Sequence, residues 1–190
     1  MNAESLLSTL RQREHLREFS EKGNKKIWFS TTVPDILPIG HDIRALIRKE
    51  LELPLGHYRE TKGEITGWMS YWRHFGPKSS SATAFVSILP SHTQRPSMKI
   101  TRCEPMHNWD NKGERYQFGL GGEWLSAFNV GVEQGLQSIL SHPLADVEIR
   151  IINAIVDGQE SDLKAFEGLG KWLTEALTLE LYKNGLIKSG

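Results

Sequence analysis

Catalysis and metal binding need side chains of the right type held within reach of one another, and this sequence offers few such sets. Its seven histidines are His15, His41, His57, His74, His92, His107 and His142. No H-E-x-x-H motif or Cys/His pair at ligand spacing appears among them, so no metal is expected. Cys103 is the single cysteine, which rules out an intramolecular disulfide framework. A distant histidine could make it a nucleophile, but a lone cysteine is more often a small buried hydrophobe. Gly119, Gly121 and Gly122 form a flexible turn ahead of a helix that opens at Glu123, a place where phosphate can sit. Glu123 puts negative charge at that position, which favours a plain turn. Trp68, Trp72 and Trp109 fall near strand ends or loops, and if exposed they would mark a binding surface. Trp124 and Trp172 fall on helix faces and read as core.

The elements that must position these residues are clearest over residues 116–152. A strand ends at Phe118, the glycine turn follows, and apolar residues then recur at helical spacing: Trp124, Leu125, Phe128, Val132, Leu136, Ile139 and Leu140. His142-Pro143 stops that helix. Val147, Ile149 and Ile151 alternate with Glu148 and Arg150, the period-two pattern of a half-buried strand.

Upstream, residues 5–19 read as an amphipathic helix closed by Gly23-Asn24. Residues 26–33 read as a strand, and residues 41–51 as a second helix. Residues 64–72 and 82–89 have strand composition and flank a polar stretch, 73–81, that reads as a loop. A short strand is expected over 98–103 and a hairpin turn over 106–113. After an Asp157-Gly158 turn, a last helix begins near Ser161, its plausible N-cap, and carries Leu163, Phe166, Leu169, Leu173, Leu177 and Leu181 on one face. The expected architecture is α+β, a mostly antiparallel sheet with two helices on one face, preceded by a small α/β segment. Residues 1–55 form that helix–strand–helix segment and residues 56–190 the main domain.

Lys+Arg and Asp+Glu are equal at 23 each, so no global field drives the chain onto nucleic acid, and any such contact must be local. The start is charged and carries no signal-peptide pattern, and no apolar run reaches the ~20 residues that span a bilayer. A cytoplasmic protein without membrane partners is expected.

The segment Glu123-Trp124-Leu125-Ser126-Ala127-Phe128-Asn129-Val130-Gly131-Val132 resembles the "EYIPAVxKGI" helix of domain IV in translational GTPases of the elongation factor G type, which include the tetracycline ribosomal protection proteins. Tyr116-Gln117-Phe118 stands where that family has "YEF" or "FEF". Pro143-Leu144-Ala145-Asp146-Val147-Glu148-Ile149 is similar to a shortened "PLAGYPVVDVKV", and Gly56-His57-Tyr58-Arg59-Glu60-Thr61 to the "VAYRET" strand. Asp157-Gly158 followed by Ala165-Phe166 is similar to the family's second tip turn and closing helix. The likeness covers about residues 56–182, and the segment before it is loosely similar to a trimmed domain III. It implies a ribosomal protein S5 domain 2-like fold with a left-handed βαβ crossover through the Glu123 helix.

The family's motor needs a phosphate-binding G-x-x-x-x-G-K-[ST] loop, which this chain lacks. The resemblance therefore implies a non-enzymatic, translation-factor-like module that binds the ribosome, RNA or a translation-related partner and needs no cofactor. Its first tip loop would lie at residues 72–81. There Arg73, His74 and Lys78 would meet phosphates, Trp72 or Phe75 would stack on a base, and Gly76-Pro77 would shape the loop. The second tip loop, at Asp157 and Gly158, departs from the family: it is short, lacks the histidine, and carries Glu160 and Asp162. That opposes a translocation activity and keeps open a protein–protein or self-associating module that has lost RNA binding. A remoter alternative is a small-molecule kinase of the galactokinase or homoserine kinase type. Their "GLGSS" loop is similar to Gly119-Leu120-Gly121-Gly122, without the paired serines.

Overall fold

Residues 65–90 are rich in Trp, Tyr, Thr, Ser, Ile and Val with no proline before Pro77, a composition suited to extended backbone. In the computed structural model they form the hairpin around which the protein is built. The structure describes residues 19–22, 25–31, 63–90, 100–102, 107–108, 116–140 and 147–186. Its elements are β1 (Phe19–Lys22), β2 (Lys25–Ser30), β3 (Ile65–Phe75), β4 (Lys78–Pro90), β5 (Ile100–Arg102), β6 (His107–Asn108), β7 (Tyr116–Phe118), α1 (Gly122–Leu140), β8 (Val147–Asp157) and α2 (Leu163–Lys183). The fold is α+β. The sheet order is β1-β2-β3-β4-β8-β7-β6, with β5 also paired to β8, and all neighbours except β5 and β8 are antiparallel.

Two local outcomes differ from the sequence reading. Phe19, expected at the end of a helix, lies in β1, which pairs antiparallel with β2 from Phe19↔Trp28 to Lys22↔Lys25. A Gly-Asn pair suits the end of a helix and the connection of two strands alike, so the sequence around it does not separate the two. The loop expected over 73–81 shrinks to two residues, because β3 and β4 pair all the way from Ile65↔Ile88 to Phe75↔Lys78. The serines there look loop-like by composition, but the cross-strand ladder overrides that preference. β2 is hydrogen-bonded to β3, so the sheet runs across the boundary expected at residues 55 and 56. The helices expected over 5–19 (apart from Phe19) and 41–51 lie outside the described residues, as do the Tyr58-Arg59-Glu60-Thr61 stretch and Cys103.

Both helices lay their apolar sides on one sheet face. Phe128, Val132 and Leu136 of α1 and Phe166, Leu169, Leu173 and Leu177 of α2 share a buried cluster with Met69, Val86, Ile149 and Ile151. Asp162 caps α2, its carboxylate accepting from the Ala165 N–H at 2.8 Å, one residue beyond the Ser161 expected for that role. Ile152 is an extra residue in β8, since Phe85 pairs with Asn153 and Val86 with Ile151. This bulge keeps Ala154 and Val156 on the helix side with Ile149 and Ile151.

The opposite face is buried as well. Trp68, Phe85, Ile152 and Ile155 are each 5 % exposed or less, and Ser70, Thr83, Ser87 and Asn153 are buried among them. The half-buried strand inferred from Val147 to Ile151 is therefore only the first part of β8, where Arg150 pairs with Glu148 at 2.8 Å. Beyond it the strand is buried on both sides.

The left-handed crossover expected through the Glu123 helix is not formed by β7–α1–β8. Tyr116↔Asp157 and Phe118↔Ile155 make β7 and β8 antiparallel neighbours, whereas a βαβ crossover joins parallel strands. The reason is geometric: α1 advances about 1.5 Å per residue, far enough to reach the other end of the sheet, and β8 then runs back beside β7. The parallel pairing described is between β5 and β8, Ile100↔Ile149 to Arg102↔Ile151, with β6, β7 and α1 in the connection.

Candidate functional site

The β3–β4 hairpin closes through Gly76-Pro77. Gly76 has φ of 58° and proline fixes the next φ near −65°, the pattern of a tight hairpin turn with glycine first. A Cβ on Gly76 would meet nothing within 4 Å, so glycine is required by backbone conformation and not by space. The turn leaves Phe75 45 % exposed, with His74 and Lys78 also exposed.

Strand alternation divides the candidate residues between the two faces. Trp72 and His74 lie on one, their rings stacked at 5.6 Å with 10° between planes, and His74 Nδ1 is 3.2 Å from Ser79 Oγ. Arg73 and Phe75 lie on the other, with the guanidinium 4.3 Å from the Phe75 ring centroid. Each face of the tip thus carries an aromatic ring beside a nitrogen-rich group, an arrangement that can stack on planar ligands and meet negative charge.

On the Arg73 face the hairpin stands beside the start of α2. Between them is an open cleft of about 550 Å³ lined by Tyr71, Arg73, Phe75, Asp162, Lys164 and Trp172, among others. The Trp172 ring meets Tyr71 at 5.3 Å and carries the Lys25 ammonium 5.1 Å from its centroid. Lys25 is also the cross-strand partner of Arg73. Burial pushes the Tyr71 phenol above its ordinary range; the Arg73 hydrogen bond and charge act against this, and Asp162 adds to it. Tyr71 is thus a neutral hydrogen-bonding group at physiological pH. The unfolded chain, with a phenol near 10.0, loses that proton first, so stability should fall as pH rises from there through the folded value. An alkaline titration followed by tyrosinate absorbance should lose a component above the ordinary phenol range in Tyr71→Phe; a titration unchanged by the substitution would contradict the burial described.

Asp157 and Gly158 are brought close to this cleft without lining it. Asp157 is buried and its carboxylate accepts from the Gln159 N–H at 2.9 Å, while its backbone N–H donates to Ser161 Oγ at 2.9 Å. Its side chain organises the turn in which Gly158 is exposed. The turn is clasped to the hairpin, since the Ser81 N–H donates to the Glu160 carbonyl at 2.8 Å. That link is how the two stretches singled out from sequence, one near residue 73 and one near residue 160, come to share a cleft. Lys78 stays at the tip, and Trp72 and His74 face away.

Tyr71 and Lys164 carry no sign of a site in the sequence. Trp172 reads as helix core, and in the structure it is half-buried at the cleft. The available signal was its position one residue before Leu173, just off the apolar stripe of α2. Gly119-Leu120-Gly121-Gly122 serves the scaffold: the Gly119 N–H donates to the Ala154 carbonyl at 2.8 Å, and Leu120 is fully buried. Among the described residues no group of three or more His, Cys, Asp or Glu side chains could hold a metal ion, and no helix is long and apolar enough to cross a membrane. No family model matches the chain, and no curated protein matches it either.

Proposed function

We propose that this chain is a non-enzymatic, translation-factor-like module that binds RNA, free or on the ribosome, through the tip of the β3–β4 hairpin. The observation that carries the reading is the pairing of rings with cationic or imidazole groups on both faces of one exposed tip: Trp72 with His74, and Arg73 with Phe75. Lys78 stands at the turn between them. Single-stranded nucleic acid is held by such mixtures, bases on rings and phosphates on Lys or Arg, at about 1–3 kcal/mol per stacked base. The neutral chain makes the contact a local one. The sequence likeness to elongation factor G domain IV belongs to the same proposal and aligns this hairpin with the family's first tip loop; the family's crossover is no part of its support, since β7 and β8 are antiparallel.

The test is binding of single-stranded RNA and of ribosomal subunits across a salt series. Arg73→Gln with Lys78→Gln should weaken binding about tenfold or more and flatten the log–log salt slope by about 1.4, the increment for two phosphate contacts on a single strand. Binding that ignores salt and both substitutions, or a dimer with no RNA affinity, would replace this reading with the protein–protein one.

A further inference from the structure

Arg73 is braced in a way that a point charge for phosphate would not need. Its Nε is buried with no hydrogen-bond partner, and leaving a donor dry is costly. Its neighbours hold it there nonetheless. The guanidinium carbon lies over the Phe75 ring, 4.3 Å from the centroid, so one face of the plane is covered. The Tyr71 phenol, itself buried, accepts a hydrogen bond from Arg73; since Nε has no partner, that bond comes from a terminal nitrogen. Tyr71 is backed in turn by the Trp172 ring of α2, 5.3 Å away. The contacts run unbroken from the hairpin tip to the helix.

Arg73 is half-buried as a whole and lines the open cleft, so the donors it turns outward are those of its two terminal nitrogens. No carboxylate among the described residues pairs with it. Asp162, which lines the same cleft, is engaged at 2.8 Å as the cap of α2. A lysine would neutralise a phosphate without a dry donor and without bracing. Bracing matters to a group that must meet two acceptors at once, because a planar fork fixed beforehand loses less freedom for each bond it forms. We propose, resting on the RNA-binding reading, that Arg73 is a preset fork for a pair of acceptor atoms on one nucleotide, and that Tyr71 is the residue that positions it. RNA offers two such pairs: two oxygens of one phosphate, and O6 with N7 of guanine.

The test follows the full chain, with isotope-labelled arginine, by NMR in the free state. Its binding to oligouridylate, and to the same strand carrying one guanosine, is then measured over a salt series. In the free protein the Arg73 Nε–H, assigned by its loss in Arg73→Lys, should exchange with water more slowly than those of exposed arginines, and Tyr71→Phe should speed it. Arg73→Lys should weaken RNA binding about fivefold, the scale of one charge-assisted hydrogen bond. It keeps the charge, so the salt slope should not change. Tyr71→Phe should weaken binding about threefold, the scale of one neutral hydrogen bond, and no further once Arg73 is lysine. A loss equal on both strands assigns the acceptors to phosphate. A loss confined to the guanosine strand, and reproduced by its 7-deaza analogue, which lacks N7, assigns them to guanine. The proposal is overturned if the Nε–H exchanges fast, or if the effects of Tyr71→Phe and Arg73→Lys multiply. Full RNA binding by Arg73→Lys would sink the fork alone and leave the RNA reading standing. No RNA binding, with a slow Nε–H that Tyr71→Phe releases, would sink the RNA reading and the acceptors with it, while the positioning by Tyr71 would stand.

Discussion

Gly131→Ala is expected to lower the unfolding free energy by about 3 kcal/mol, the upper end of the usual cost of overpacking a core. Helices α1 and α2 pack at a distance that leaves no room for a methyl group. A Cβ on Gly131 would lie 2.8 Å from the Glu167 carbonyl carbon and 3.0 Å from the Lys171 nitrogen, and closer still to the Glu167 oxygen. These are backbone atoms of a helix, so relief requires the helices to separate, which breaks the contact of Phe128 and Val132 with Leu169 and Leu173 in the shared core. Alanine's better helix propensity returns about 1 kcal/mol, too little to cancel the clash. Gly170 is in the same position from the other side, with a Cβ 3.1 Å from the Val132 nitrogen. Gly168→Ala supplies the contrast. The nearest atoms to its Cβ would be those of the Trp172 ring, at 3.4 Å, so the propensity gain should survive and stabilise the protein by up to about 1 kcal/mol. Denaturant midpoints of the three variants decide the matter. A Gly131→Ala midpoint within error of the parent would mean that the helices do not approach as closely as described.

Those glycines also show what was readable in the sequence. The apolar stripe of α1 was plain because Phe128, Val132 and Leu136 follow the helical period, and α2 was plain for the same reason. The close crossing of the two helices leaves a local sign in Gly131 and Gly135, four residues apart inside a helix where glycine costs about 1 kcal/mol. That cost makes sense only when a neighbour needs the space. The hairpin tip was misread for a different reason. Ser79, Ser80 and Ser81 favour loops in isolation, yet each is held by a partner on β3, and pairing partners cannot be read from local composition. The same limit applies to the site. Arg73, Phe75 and the stretch around Asp162 were visible as residue types, but the joining of the two stretches depends on the Ser81–Glu160 hydrogen bond. Tyr71 and Trp172 carry no sign in the sequence that one would face the other.

The second large effect concerns the sheet face away from the helices, to which the alternation over residues 147–151 assigns Glu148 and Arg150. Trp68→Ala should cost about 4 kcal/mol, within the usual range for removing a large aromatic from a core. Trp68 is 0 % exposed and stacks on Phe85 with centroids 4.5 Å apart and 10° between planes. Were this face open to water, the same substitution would cost only about 0.5 kcal/mol, as surface changes usually do. The difference is large enough to read from a single denaturation curve. Trp68→Phe separates burial from ring chemistry. The indole Nε1–H is buried without a partner, and an unmet buried donor costs about 1–3 kcal/mol. Phenylalanine keeps the stack on Phe85 and removes that donor, so the volume it loses is largely offset and the net change should stay within about 1 kcal/mol of the parent. A Trp68→Phe variant as unstable as Trp68→Ala would mean that Nε1 has an acceptor. A Trp68→Ala variant as stable as the parent would mean that the face is not a core at all. The expected order, alanine far below and phenylalanine near the parent, follows only if β3 is buried on both of its faces.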